Sequence, residues 1–304
     1  MRILIFTALQ VPHRSTPTLK GYGNMASGKE TPEGDSMLLI GLPEDTPQIQ
    51  YTDMNQLYIS VERRAAACCS DDTLSPFIVV RDILPTILQD LDSKYPDKSP
   101  RVTGDIPGNI LVLEAMTRPP HETAAWALTG YIDNEVINMH LGEDVINSGT
   151  SRAKSEDTSF VKDPDGSFTL RHHHWPILAI EAELSETEAR LTIDARRWLD
   201  TKGSETETVI TIKVGRAHPH ITFKRWQHSE PQRVTRSTRQ PAKVVEQVDV
   251  SHHSPVTNVT GQMVIPFRGI AGRGQQNSKE HDIEITKAAF ESIARRVWVA
   301  QEFL

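Results

Sequence analysis

Lys162-Asp163-Pro164-Asp165-Gly166-Ser167-Phe168, followed by Pro176-Ile177-Leu178-Ala179-Ile180-Glu181-Ala182-Glu183, is the stretch on which the fold turns. Its second segment is a short apolar run that reads as a buried strand ending in two glutamates. Side chains on a strand alternate between faces, so Glu181 and Glu183 point one way and Ala182 the other. With Asp165 arriving on a neighbouring strand, three carboxylates are expected to converge on one spot. Such a cluster repels itself unless protons or a hard divalent cation neutralise it. The chemistry this predicts is metal-dependent hydrolysis.

Around this hairpin the pattern is mixed α/β. From Pro120 to Met139 the apolar residues Ala124, Ala125, Leu128, Ile132, Val136 and Met139 recur at steps of three and four, an amphipathic helix with a break expected near Gly130. After the glutamates, Ser185-Glu186-Thr187-Glu188 reads as a capping box opening a helix that carries Leu191, Ala195, Trp198 and Leu199 on one face. Thr208 to Val214 is β-branched and alternating, and Ala217-His218-Pro219-His220 turns it into a second strand, Ile221 to Trp226. Upstream, Phe77 to Val80 reads as a strand and Ile83 to Leu91 as a helix. Residues 1–75 show no sustained period apart from a few apolar patches, with Met1 to Leu9 read as an edge strand rather than a signal peptide. Residues 228–256 read as a polar linker or long loop. A closing strand, Gly261 to Phe267, and a helix, Ile283 to Trp298, occupy residues 257–304.

The bulk properties narrow the function classes. A chain of 304 residues with 38% hydrophobic residues has ample core for one large domain or two modest ones. No run approaches the ~18 apolar residues of a membrane span. Two adjacent cysteines, Cys68 and Cys69, give no disulfide framework and fit a reducing, cytoplasmic or nuclear setting. A net charge of −7 argues against a wholly basic nucleic-acid coat but leaves room for a local basic groove. The G-x-S-x-G, H-E-x-x-H and C-x-x-C signatures are missing, which removes serine-hydrolase elbows, zincins and thiol-redox chemistry.

In order and spacing these pieces resemble the PD-(D/E)XK, restriction-endonuclease-like nuclease superfamily. The likeness is greatest to fungal members with a K-E-P-D-x-x-F segment, a strand ending E-V-G-x-S-E-S and a helix L-x-x-D-A-x-x-W-L. Here those pieces are Lys162 to Phe168, Glu181 to Thr187 and Leu191 to Leu199, and the likeness covers residues 120–304. The resemblance implies a restriction-endonuclease-like mixed sheet flanked by helices, with a nuclease-like core over residues 76–227 and an irregular N-terminal region. It implies Mg²⁺ as cofactor, held by Asp165, Glu181 and the carbonyl of Ala182. It also implies a lysine two residues after the glutamate, holding the attacking water; this chain has Glu183 there.

Three readings of that departure stand side by side. Glu183 acts as general base or extra metal ligand; or the cation comes from elsewhere, with Lys213 and Arg190 as candidates; or the site has decayed and cuts nothing. The function expected is phosphodiester hydrolysis. The alternative is a catalytically degenerate fold that binds nucleic acid or a protein partner.

DNA or RNA is the expected partner. Lys224, Arg225 and Trp226 are read as its contacts, two cations for the backbone and one ring for stacking. The bland readings apply elsewhere. His172-His173-His174 is expected to be a turn, Trp198 core, and Asp194 exposed or ion-paired.

Overall fold

The quoted stretch crosses from one large sheet to another in the computed structural model, which describes residues 37–96, 100–184, 188–229 and 241–304. The first sheet holds β1 (Gln48–Gln50), β2 (Phe77–Arg81), β3 (Arg101–Asp105), β4 (Ile110–Glu114), β6 (Ala153–Lys154) and β7 (Val161–Lys162). They lie in the order β1-β2-β4-β3-β7-β6. Two helices, α1 (Met54–Ser70) and α2 (Ile87–Lys94), cover it. Leu57, Val61, Ile87 and Leu91 pack there against Ile78, Val80, Leu111 and Leu113.

The second sheet holds β5 (Val145–Asn147), β8 (Gly166–Leu170), β9 (Pro176–Leu184), β10 (Thr208–Val214), β11 (His220–His228), β12 (Ala242–His253) and β13 (Val256–Gly261). Its order is β13-β12-β11-β10-β9-β8-β5. β8 and β9 form an antiparallel hairpin, and β9 pairs in parallel with β10. The parallel step needs a crossover, and α4 (Ala189–Asp200) supplies it. One face of this sheet packs Leu178, Ile180, Ile210, Ile212 and Phe223 against α3 (Pro119–Asn138), the short α5 (Arg268–Ala271) and the last helix, α6 (Lys287–Ala300). The other face packs Ala179, Val209 and Trp226 against Ala195, Trp198 and Leu199 of α4. Strands buried on both faces read as near-continuous apolar runs, which is why Pro176 to Ala182 looked like one.

The mixed α/β class holds, and several elements differ from the sequence reading. Part of the region expected to be poorly patterned is regular: α1 starts at an Asp53 N-cap that accepts from Asn55 N at 2.8 Å and Gln56 N at 3.0 Å, and β1 joins β2 in parallel. The first thirty-six residues, with the edge strand expected at Met1 to Leu9, lie outside the described ones. Residues 242–253 of the expected linker are instead a twelve-residue strand, paired to β11 on one side and β13 on the other. Their alternation, Val248 and Val250 inward against Asp249 and Ser251, was masked by the many polar residues facing out.

Helix α3 runs through Gly130 unbroken, because the buried row Leu128, Ile132 and Val136 holds it to the sheet. At the start of α4 the residue in the N-cap position is Glu188, without a side-chain cap bond; the expected cap Ser185 lies outside the described residues. The closing helix begins later than expected. Ile283–Ile285 is β15, paired with β14 (Met263–Ile265), and Thr286 caps α6 by accepting from Ala289 N at 3.2 Å.

Candidate active site

Lys162 ends β7 in the first sheet and Gly166 begins β8 in the second, so three residues carry the chain between sheets. Asp163 anchors this crossing. Its N–H donates to Val102 O at 2.9 Å, its carboxylate accepts from Val102 N at 3.0 Å, and Arg152 Nε sits 2.7 Å from it. Pinned there, the chain presents Lys162 and Asp165 to the end of β9. One cavity of about 80 Å³ is lined by Lys162, Asp165, Glu181, Ala182, Glu183 and Asp194, together with Arg101, Glu114, His121 and Arg190. That volume suits a few waters or an ion that has exchanged most of its water for protein oxygens.

The carboxylates expected to converge share this cavity, but each meets its own set of cations and donors. Asp165 accepts from the N–H of Ala182 at 2.7 Å and is ion-paired to Arg101, while His121 Nε2 lies 2.8 Å from its carboxylate without the geometry of a hydrogen bond. Glu181 accepts from Trp198 Nε1 at 2.5 Å and lies 3.2 Å from the ammonium of Lys162. The same ammonium is 3.1 Å from Asp194, which Arg190 Nε approaches at 3.4 Å. Arg190 is fixed in turn by donating to Leu38 O at 2.7 Å. Among the described residues, no group of three or more His, Cys, Asp or Glu side chains is gathered closely enough to hold a metal.

Burial sets the protonation of this cluster. It raises Glu181, and the neighbouring Lys162 offsets part of the rise. Burial also pushes Asp194 up, but Arg190, Lys162 and Arg197 more than compensate and hold it below the usual carboxylate range. Glu114 is driven up to about 7 by burial. His121 is driven down to about 3, by burial and then by Arg101 and Lys162, so its ring is neutral. Burial likewise lowers Arg197 to about 10.

The other sequence candidates take different places. Glu183 lines the same cavity, on the face expected. Ala182 turns its side chain into the apolar core and gives its N–H to Asp165. Lys213 stands beside Glu183 in the β9–β10 register, yet it lines a small neighbouring cavity with Glu188 and Lys224 rather than that of Glu181. The cation at Glu181 is Lys162, a residue already in the quoted stretch.

The expected nucleic-acid contacts are engaged internally. The Trp226 ring is 6% exposed and donates to Thr211 Oγ1 at 3.0 Å, so it offers no stacking face. Arg225 is buried against Glu246 at 2.7 Å, and Lys224 is paired with Glu188. Arg233, Arg236 and Arg239 of the basic run lie outside the described residues. His172 to His174 is an exposed turn and Trp198 is core, as read.

Sequence reasoning missed Arg101 and His121, which come from β3 and α3. The only signal for His121 was its place in the first turn of the predicted amphipathic helix. No helix among the described residues is long and apolar enough to cross a membrane. Compared with known proteins, the chain matches no protein-family model and no curated sequence.

The donor chemistry accommodates the implied Mg²⁺. Asp165 and Glu181 carry hard oxygen donors, and each carboxylate has about four lone-pair sites, more than its contacts in the cavity occupy. The competing charges are Lys162, 3.2 Å from Glu181, and Arg101, paired with Asp165 and 17% exposed at the cavity edge.

Proposed function

We propose that this chain is a PD-(D/E)XK-type nuclease that hydrolyses phosphodiesters with Mg²⁺, using Lys162 in place of the lysine that Glu183 displaces. The observation that carries the reading is one buried ammonium, 3.2 Å from Glu181, in the cavity that the β8–β9 hairpin opens between Asp165 and Glu181. Asp165 and Glu181 would hold the ion. When bound, it supplies charge to the phosphoryl oxygens and lowers the pKa of a bound water.

The chain's own residues orient these groups. Ala182 N–H and Arg101 fix the Asp165 carboxylate, and Trp198 fixes that of Glu181. Lys162, held between Glu181 and Asp194, would set its positive charge against the charge developing on the phosphate. Glu183, which lines the same cavity, would accept a proton from water.

The test is cleavage of single- and double-stranded DNA and RNA with Mg²⁺ or Mn²⁺. Asp165→Ala and Glu181→Ala are expected to lose activity by at least about 100-fold. Cleavage undiminished in both, or a parent protein that cuts none of these substrates, overturns the reading.

One observation favours a second reading, a degenerate site that binds nucleic acid without cutting it. The Arg101–Asp165 ion pair already neutralises the aspartate without a metal. Calorimetry separates the two: no Mg²⁺ uptake, alongside salt-sensitive DNA binding, selects the second.

A further inference from the structure

Asp165 and Arg101 form a wall with two sides. Behind them is the small charged cavity; in front is an open groove of about 440 Å³, whose lining includes Trp126, Thr129, Asn147 and Gly166. Ligand pockets commonly run from about 300 to 1,000 Å³, so this groove matches one planar ring system and its sugar.

Trp126 is the outlier among the chain's five tryptophans. Its relative exposure is 67%, whereas the other four are each 8% or less. It lies on the outer side of α3, away from the row that packs on the sheet. The Arg296 guanidinium, from α6, lies over the ring, 5.8 Å from its centroid, and brings positive charge beside the groove.

The floor points independently to a ligand. Thr129 is 7% exposed, and its hydroxyl has no hydrogen-bond partner among the described residues. A buried hydroxyl left unsatisfied is costly, and such groups are ordinarily paired. Gly166 leaves room beside this buried hydroxyl: a Cβ there would lie 2.4 Å from Thr129 Oγ1.

We infer that the groove binds one unpaired nucleotide, with its base stacked on Trp126 and hydrogen-bonded to Thr129, and with its phosphate directed by Arg101 and Arg296 toward Asp165. A flat aromatic face, a buried hydroxyl and flanking cations are the groups that a base, its edge and its backbone require. A base paired in a duplex cannot offer its face to the ring. The site therefore distinguishes single strands, frayed ends or extruded bases from continuous duplex. This rests on the nuclease-type reading and names its substrate class.

The experiment is fluorescence anisotropy in EDTA, so that no cleavage intervenes, with a labelled single-stranded oligonucleotide and the matching duplex. Trp126→Ala, a surface change, is expected to weaken single-strand binding by about 5- to 150-fold and duplex binding by less than about twofold. Thr129→Val, nearly isosteric, is expected to weaken single-strand binding by about 2- to 10-fold. No single-strand binding by the parent, no change in either variant, or equal losses on single strand and duplex would overturn the inference. Selective loss in a protein that never cleaves leaves the groove standing and removes the hydrolysis. Cleavage with Trp126-independent binding does the reverse.

Discussion

The two faces of β9 are buried to a similar degree and stabilised by opposite means. One face sets Leu178, Ile180 and Ala182 into the apolar core beneath α3. The other sets Ala179, then Glu181 and Glu183, toward α4 and the charged cavity. Apolar burial is non-directional and contributes roughly 25 cal/mol per Å² whichever neighbour does the covering. Buried charge stabilises nothing unless a specific partner stands at a specific atom. One face therefore tolerates substitutions of similar volume, while the other depends on a few contacts made by distant segments.

The sharpest way to break this contrast is Lys162→Met. It removes the ammonium shared by Glu181 and Asp194, all three groups being at most 6% exposed. The expected loss is about 3–5 kcal/mol in urea unfolding. Glu181→Gln in the same background should restore part of it, because one uncompensated charge then disappears. A loss under about 1 kcal/mol would show that the charged face is as tolerant as the apolar one.

The second effect is pH-dependent. Burial raises Glu114 from its ordinary 4.5 to about 7, so the folded protein holds this proton more tightly than the unfolded chain. Its contribution is fully present below about pH 4.5 and is lost as the pH rises through 7. Glu114→Gln should flatten that slope and leave the variant about 3 kcal/mol more stable than the parent at pH 8. Thermal unfolding of both proteins across pH 4 to 8 measures this, and parallel curves would refute it.

The smallest effect belongs to the apolar face. Ile180→Val is expected to cost about 1 kcal/mol, independent of pH, in the same urea assay. A pH-dependent loss there would mean that the two faces are coupled through the strand.

The legible parts were those set by local pattern. The strand Pro176 to Leu184, the alternating strand Thr208 to Val214, the helix from Pro119 and the mixed α/β class all follow from apolar periodicity that any reader of the chain can count. The same alternation put Glu181 and Glu183 on one face and Ala182 on the other. The twelve-residue strand Ala242–His253 escaped because its polar outward side diluted the pattern. Trp226 and Arg225 were misjudged for a related reason. A tryptophan among cations reads as a binding surface until α4 closes over one and Glu246 meets the other.

What the sequence determined by itself was a hairpin that carries acid to its end, since strand alternation is a property of the backbone. What neutralises that acid was decided by the tertiary structure. Lys162 reaches Glu181 because β7 belongs to one sheet and β8 to the next. Arg101 lies 64 residues and His121 44 residues from Asp165, and Asp194 lies 32 residues from Lys162. Coulomb attraction acts across space with no regard to chain separation, so such partners leave no period to count.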